Sequence, residues 1–355
     1  MDVEIKRIRC PNCSSSNIRK YGINKKKLQT SQRYFCKECQ KTFVLAATTG
    51  LKNKSYPANI ILNALSYYNL CYSQKKTSSM LSRKHRASVP QKTISNWINE
   101  FKSITTFNRL REQAKQQFRS EELISSYEFL HNNLNYKYQI HSFKLQYLTN
   151  NNDKFSRIKL YLKKIPTSNF PHHIFTPNLE IKEKSDRASQ SNFTTLKIMP
   201  LKKQNLANKL CSLALNLAKT NKERHQAIQD FFLINDSTTI ATEVPIYLTH
   251  DDLLYFNSRD FSLNPNEFST PVTGHIDILQ IRNNLLYILD YKPEANKTSP
   301  IVQLTIYALA LASKTKLPLA MFKCAWFDEN NYFEFFPLHA VYKIKKKEQT
   351  NLNLY

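Results

Sequence analysis

The chain has 355 residues, 41% of them hydrophobic and 12% aromatic, enough to bury a sizeable core and to exclude global disorder. Lys+Arg 52 against Asp+Glu 27 gives a formal charge of +25, which points to a polyanionic partner, with nucleic acid ahead of an anionic membrane surface. No apolar run approaches the roughly 18 residues of a membrane span, and Met1–Lys6 has no signal-like apolar stretch, so an intracellular protein without membrane insertion is expected.

At about 100 to 200 residues per domain, two or three compact units are expected, within an α+β multidomain architecture. Charge is uneven along the chain. Residues 1–110 hold 21 Lys+Arg and 4 Asp+Glu, net +17, against 31 and 23, net +8, in the remainder. The front third is therefore the expected DNA-docking part.

Residues 1–46 have little apolar periodicity, but they carry Cys10-Pro11-Asn12-Cys13 and Cys36-Lys37-Glu38-Cys39, two C-x-x-C pairs 22 residues apart. Each pair makes a tight turn, and two such turns bring four thiolates to one tetrahedral ion with no open position. A zinc ribbon with a structural Zn2+ is expected; the metal replaces a core the segment lacks. The three scattered cysteines, Cys71, Cys211 and Cys324, fit reduced thiols and not a disulfide framework. Lys25, Lys26, Lys27 and Arg33, between the pairs, are candidate phosphate contacts, with a solvated hairpin as the plain alternative.

Residues 47–105 show apolar spacing of helical period at Ile60, Ile61, Ala64, Leu65 and Tyr68, at Met80 and Leu81, and at Ile94, Trp97, Ile98 and Phe101, predicting three short helices. The last two suit a helix-turn-helix-like unit. Its final helix would present Gln91, Lys92, Thr93, Ser95 and Asn96 to a major groove, unless the segment is a simple three-helix packing unit. The ribbon, Lys54-Ser55-Tyr56-Pro57 and Thr93-Ile94-Ser95-Asn96-Trp97-Ile98 together resemble the DNA-binding front end of insertion-sequence transposases, which implies DNA binding and nothing about transposition.

Residues 106–200 read as a connecting region of unknown role, with a helix over 110–130, strands near 136–147 and an extended connection marked by Pro166, Pro171 and Pro177. Over 201–345 the expected order is αβββαβ. A long helix runs from Leu206 through Phe232; strands cover 239–248, 274–281 and 285–291, the last two joined at Asn283-Asn284; a helix covers 299–313; strands follow at 319–327 and 332–336.

Glu243, Asp277 and Asp290 lie on the first three strands, and Lys292 shares a face with Asp290. Carboxylates on adjacent strands can hold a hard divalent cation, and an ammonium beside them can steady charge developing on a phosphate. Turn-capping acids are the plain alternative. Gln303 and Tyr307 stand one turn apart on the following helix.

Glu243, Gly274-His275-Ile276-Asp277, Asp290-Tyr291-Lys292 and Gln303 to Tyr307 resemble the RecB-like branch of the PD-(D/E)XK nucleases, which includes Cas4-type enzymes. The resemblance covers about residues 203–337. It implies a restriction-endonuclease-like core and a Mg2+- or Mn2+-dependent deoxyribonuclease, with Asp277 and Asp290 as metal ligands joined by Glu243, Lys292 as catalytic lysine, and Gln303 and Tyr307 as helix-borne site residues. In that branch a site histidine often precedes the first acid, and His225 fits either that role or a buried core histidine. Several relatives carry a four-cysteine iron–sulfur cluster around this domain; only Cys211 and Cys324 are present here, so no iron–sulfur cluster is expected. A non-catalytic DNA-binding regulator retaining the fold, or the cleavage subunit of a mobile element, are the competing readings.

Overall fold

The computed structural model describes residues 8–26, 29–44, 51, 54–132, 134–150, 153–176, 186–191, 193–264 and 271–342. They form two compact units, one within Met1–Ser103 and Ser212–Ala227, the other within Ile104–Cys211 and Ile228–Tyr355.

The first unit opens with an antiparallel sheet of β1 (Ile18–Lys26), β2 (Gln29–Cys36) and β3 (Thr42–Val44). Its buried apolar cluster is small, built on Cys10, Ile18, Tyr34 and Cys36. So few side chains cannot stabilise a sheet by burial alone. Three helices follow, as the periodicity predicts: α1 (Ala58–Asn69), α2 (Gln74–His85) and α3 (Gln91–Phe101). The Ser73 side chain accepts from the Lys76 N–H to start α2, and Arg86 ends it in the left-handed region at φ 53°. Arg83, Lys84 and His85 fill its last turn, where cations offset the unpaired carbonyls. The apolar stripe of α3, Ile94, Trp97, Ile98 and Phe101, is buried, with Tyr56 edge-on to Trp97 at 5.3 Å.

The second unit is a sheet of nine strands flanked by helices. In chain order its elements are α4 (Arg111–Gln117), β4 (Ile124–His131), β5 (Leu134–His141), α5 (Ser142–Asn150), α6 (Ser156–Lys164), β6 (Asp186–Arg187) and β7 (Leu201–Lys203). Next come α7 (Leu206–Ala214), α8 (Arg224–Asn235), β8 (Thr239–Leu248), α9 (His250–Asn257), β9 (Val272–Arg282), β10 (Leu285–Tyr291), α10 (Ile301–Thr315), β11 (Phe322–Phe327) and β12 (Tyr332–Phe335). The spatial order is β4-β5-β8-β9-β10-β11-β12-β7, with β6 paired to β9. Pairing along that order is antiparallel except between β10 and β11, where α10 supplies the crossover a parallel neighbour requires. Asn283 and Asn284, both at positive φ, make the tight turn between β9 and β10. From Leu304 to Ser313 every residue of α10 is buried, the pattern of a helix packed within a core.

Three expectations change. The helix expected over 110–130 ends at Gln117, and Ile124–His131 is a strand in which Ser126, Glu128 and Leu130 are exposed while Tyr127 and Phe129 are half-buried; period-2 burial has replaced period 3.6. The strand expected over 136–147 stops at His141, where α5 begins. The continuous helix expected from Leu206 to Phe232 is broken after Ala214, because the Asn216 side chain donates to the Ser212 and Leu213 carbonyls at 2.8 and 3.1 Å and so takes the place of the next turn. The stretch assigned to a connection of unknown role thus supplies β4 and β5, which continue the sheet through Gln139↔Thr242 and Ile140↔Ala241.

Two polar anchors tie this stretch to the sheet. The Asp236 carboxylate accepts from Thr239 N–H at 2.9 Å and from the Gln280 amide at 3.0 Å, joining the end of α8 to β8 and β9. Lys144 of α5, fully buried, donates to the backbone carbonyls of Leu233 and Asp236, the latter at 2.7 Å. Burial outweighs the neighbouring Asp236 and pulls its ammonium from 10.5 down to about 7. Between pH ~7 and ~10.5 the unfolded chain therefore binds the proton that the native chain has lost, and stability rises with pH by up to about 1.4 kcal/mol per unit. In urea unfolding at pH 7 and pH 9, the Lys144→Met variant is expected to lose this part of the pH dependence; equal slopes in both proteins would refute it.

Candidate functional site

The two cysteine pairs form matching turns. Cys10 N–H donates to Ser15 O at 2.8 Å and Cys36 N–H to Lys41 O at 3.0 Å, and the residue after each second cysteine, Ser14 and Gln40, is left-handed at φ 58° and 54°. Asn17 links the turns, accepting the Lys37 N–H at its carbonyl and donating its amide to Glu38 at 2.8 Å. The sulfurs of Cys10 and Cys39, and of Cys13 and Cys36, are 3.5 Å apart, and all four lie within 4.8 Å of one another. A tetrahedron with Zn–S of about 2.3 Å has edges of about 3.8 Å, so the set fits a tetrahedral ion of that size.

The thiols do not ionise independently. The Lys41 N–H draws Cys39 down to about 6, while Cys13 is pushed up to about 12 because desolvation and the three other sulfurs outweigh the Ser15 N–H. A cluster that resists accumulating negative charge is one that a cation completes. Among the described residues these four are the one set of three or more potential ligands packed this closely.

The basic groups expected to meet DNA divide. Lys25 and Lys26 fall on β1, and Lys27 lies outside the described residues. Arg33 is exposed, donates to Thr42 Oγ1 at 3.1 Å and faces Tyr21; Arg19 stacks over Phe35 at 5.0 Å. On α3, Gln91, Lys92 and Asn96 are exposed and Thr93 and Ser95 half-buried, opposite the buried stripe.

Register aligns the acids. Thr242↔Ile278 and Val244↔Ile276 bracket Glu243 and Asp277, and Leu289↔Ile278 leads directly to Asp290 beside Asp277. The Tyr291 N–H donates to Asp277 Oδ2 at 3.1 Å. Lys292 Nζ lies 2.8 Å from Asp290 Oδ2, which is buried and accepts no well-aligned hydrogen bond, so the contact is one of charge. Asp290 is 3% exposed; burial first, then Asp277, hold its carboxyl well above the usual range, against the pull of Lys292. Lys292 is itself held above its usual range, the Asp290 charge outweighing burial. Glu243 is pushed up to about 8 by burial and by Asp277. The oxygens of these three acids do not draw together as closely as the four sulfurs do.

Glu243 adopts φ 49°, a left-handed conformation inside a strand, where only a local twist can fit an L residue. Its Oε1 accepts from Gln229 Nε2 at 2.6 Å. His225, expected to face inward from the same helix, is exposed in the first turn of α8, and the side chain that reaches Glu243 from that helix is Gln229, four residues later. Sequence reasoning missed Gln229; its position in the i+4 row of a candidate site residue was the available signal. His275 also borders the cluster, with Nδ1 3.9 Å from Glu243 Oε2; burial and His131 bring its imidazole down to about 3, so it is neutral.

From α10, Gln303 Nε2 donates to the Tyr307 hydroxyl at 2.8 Å. Burial, then the charges of Asp290, Asp277 and Glu243, raise the Tyr307 phenol well above its usual range, so it remains a neutral donor. Gly274 makes this approach possible. A Cβ there would stand 2.5 Å from Tyr307 Cε1, closer than van der Waals contact allows.

Gly274→Ala is therefore expected to displace the Tyr307 ring and lower stability by about 1 to 3 kcal/mol, with Gly274→Ala/Tyr307→Ala recovering part of the packing loss. Thermal unfolding of the single and double variants reads this, and additive losses would contradict it. Elemental analysis of purified protein is expected to find about one zinc per chain, lost in Cys36→Ser together with the fold of β1–β3; iron in its place would overturn the assignment. No protein-family model matches the chain, and no curated protein or solved structure matches it.

Proposed function

We propose that the chain is a DNA-binding, divalent-metal-dependent nuclease that hydrolyses phosphodiester bonds, docked by an N-terminal zinc ribbon and a helix-turn-helix-like unit. The observation that carries the reading is the meeting of Glu243, Asp277 and Asp290 on three adjacent strands with Lys292 ion-paired to Asp290. Buried carboxylates in such number are costly unless protons or cations accompany them, and one lysine balances one of them. The order α8, β8-β9-β10 antiparallel, α10, then β11 parallel also fits the αβββαβ core of the PD-(D/E)XK nucleases that the motifs resemble.

In this reading Asp277 and Asp290, joined by Glu243, hold Mg2+ or Mn2+, which supplies Lewis-acid polarisation of the phosphodiester and acidifies water at the site. Lys292, held in its charged form by Asp290, steadies negative charge developing on the scissile phosphate. Gln229 orients the Glu243 carboxylate through its 2.6 Å bond. Tyr307, fixed by Gln303 and kept protonated, donates toward the acids or a phosphate oxygen. The front-end charge, net +17 over residues 1–110, supplies the sequence-independent part of DNA affinity.

Purified protein incubated with single- and double-stranded DNA is expected to cut in Mg2+ or Mn2+ and not in EDTA. Asp290→Ala should lower the rate by about 10³-fold or more, and Lys292→Ala by about 10²-fold, with DNA affinity in EDTA unchanged. If wild type and both variants are equally inert on every substrate while still binding DNA, the chain is a non-catalytic DNA-binding regulator.

A further inference from the structure

The second unit contains a cavity of about 400 Å³, apart from the carboxylate cluster, between the β4–β5 hairpin and α5 and α6. That volume lies in the roughly 300 to 1,000 Å³ range of small-ligand pockets. Its walls are of three kinds. Phe118 and Tyr127 are aromatic, Ser125 and Ser142 bring hydroxyls, and Lys159 and Lys163 bring ammonium groups; no Asp or Glu is among the lining residues.

Each wall has capacity left for a ligand. The two serine hydroxyls are 3.3 Å apart, so one donates to the other and a second proton remains to give away. Lys159 donates to the neutral Asn150 side chain at 3.0 Å, which leaves its charge unbalanced by that contact. Lys159 and Lys163 are one turn apart on α6 and so stand on one face. The surrounding segment, residues 154–164, carries Lys154, Arg157, Lys159, Lys163 and Lys164 and no acid. An anion is favoured over a cation at the mouth, and a flat ring over a branched chain against Phe118 and Tyr127.

We infer that this cavity is a nucleotide subsite: an unpaired base lies against Phe118 and Tyr127, with its phosphate at Lys159 and Lys163. Bases within a duplex are stacked and paired and cannot enter, so the occupant is a nucleotide of a single strand or a free mononucleotide. The cavity is built next to the carboxylate cluster in the sheet. Its lining residue Ile140 is in register with Ala241, two residues before Glu243 on β8. The inference extends the DNA-processing reading but does not depend on cleavage, and its test runs without divalent metal.

Fluorescence anisotropy in EDTA, across a salt series, compares a labelled 12-nucleotide single strand with its duplex; dAMP and dTMP are titrated as competitors. The Lys159→Ala/Lys163→Ala variant is expected to bind the single strand about ten-fold more weakly, with a salt slope lower by about 1.4 for two lost phosphate contacts. Duplex affinity should stay within about two-fold, the duplex having no unpaired base to offer the cavity. Tyr127→Leu should weaken single-strand binding about ten-fold at an unchanged salt slope, because it removes stacking and no charge. Competition by dAMP or dTMP that the lysine variant abolishes identifies a free nucleotide as sufficient; its absence identifies the strand as the ligand. Unaltered single-strand affinity in both variants overturns the inference, as does equal weakening for strand and duplex, which marks a mere surface charge.

Discussion

Asp277 occupies the middle strand of three and has a carboxylate on each side. Burial raises the energy of every ionised form, and the mutual repulsion of Glu243, Asp277 and Asp290 raises it further. The surrounding structure is arranged about that constraint. Lys292 meets Asp290, the Tyr291 N–H meets Asp277, the Gln229 amide meets Glu243, and the Gln303–Tyr307 pair closes the cluster from α10. Even the backbone yields to it, since Glu243 reaches its position in a left-handed conformation and Gly274 gives up a side chain so that the Tyr307 ring can approach.

The same sheet extends beyond the acids through an edge hairpin, and the junction is polar. Asp236 gathers donors from β8 and β9 at the end of α8, and Lys144 places its ammonium on carbonyls at that end, where the helix dipole favours a cation. An ion this deeply buried is retained against a desolvation penalty, and its many hydrogen bonds make α5 and α8 specific for each other. Because α5 follows β5 without a break, the anchor also sets the floor of the cavity between the hairpin and α6. The carboxylate cluster and the cavity are thus supported by hydrogen-bonded neighbours in one sheet.

The first unit meets a different shortage. Its three-stranded sheet buries little apolar area, and the four sulfurs take the place of a core by converging within 4.8 Å. Holding the turns together leaves the hairpin's exposed side chains, Arg19 over Phe35 and Arg33 beside Tyr21, free of any packing duty. The three helices divide labour similarly: the buried stripe of α3 packs, and its opposite side is polar.

Local pattern was enough to read much of this. The C-x-x-C spacing announces the four-sulfur set, helical periodicity predicts α1 to α3 and α10, and alternating or continuous apolar text with Asn283-Asn284 predicts β8 to β10. Strand parity put Asp290 and Lys292 on one face before any coordinates. Each of these depends on residues close in sequence. The edge hairpin joining the sheet, the break after Ala214, the exchange of His225 for Gln229 beside Glu243, and the approach of Tyr307 to Gly274 were decided by partners far along the chain. Periodicity says that a face will be buried, but which side chain touches which across that face is chosen by packing and hydrogen bonding in three dimensions.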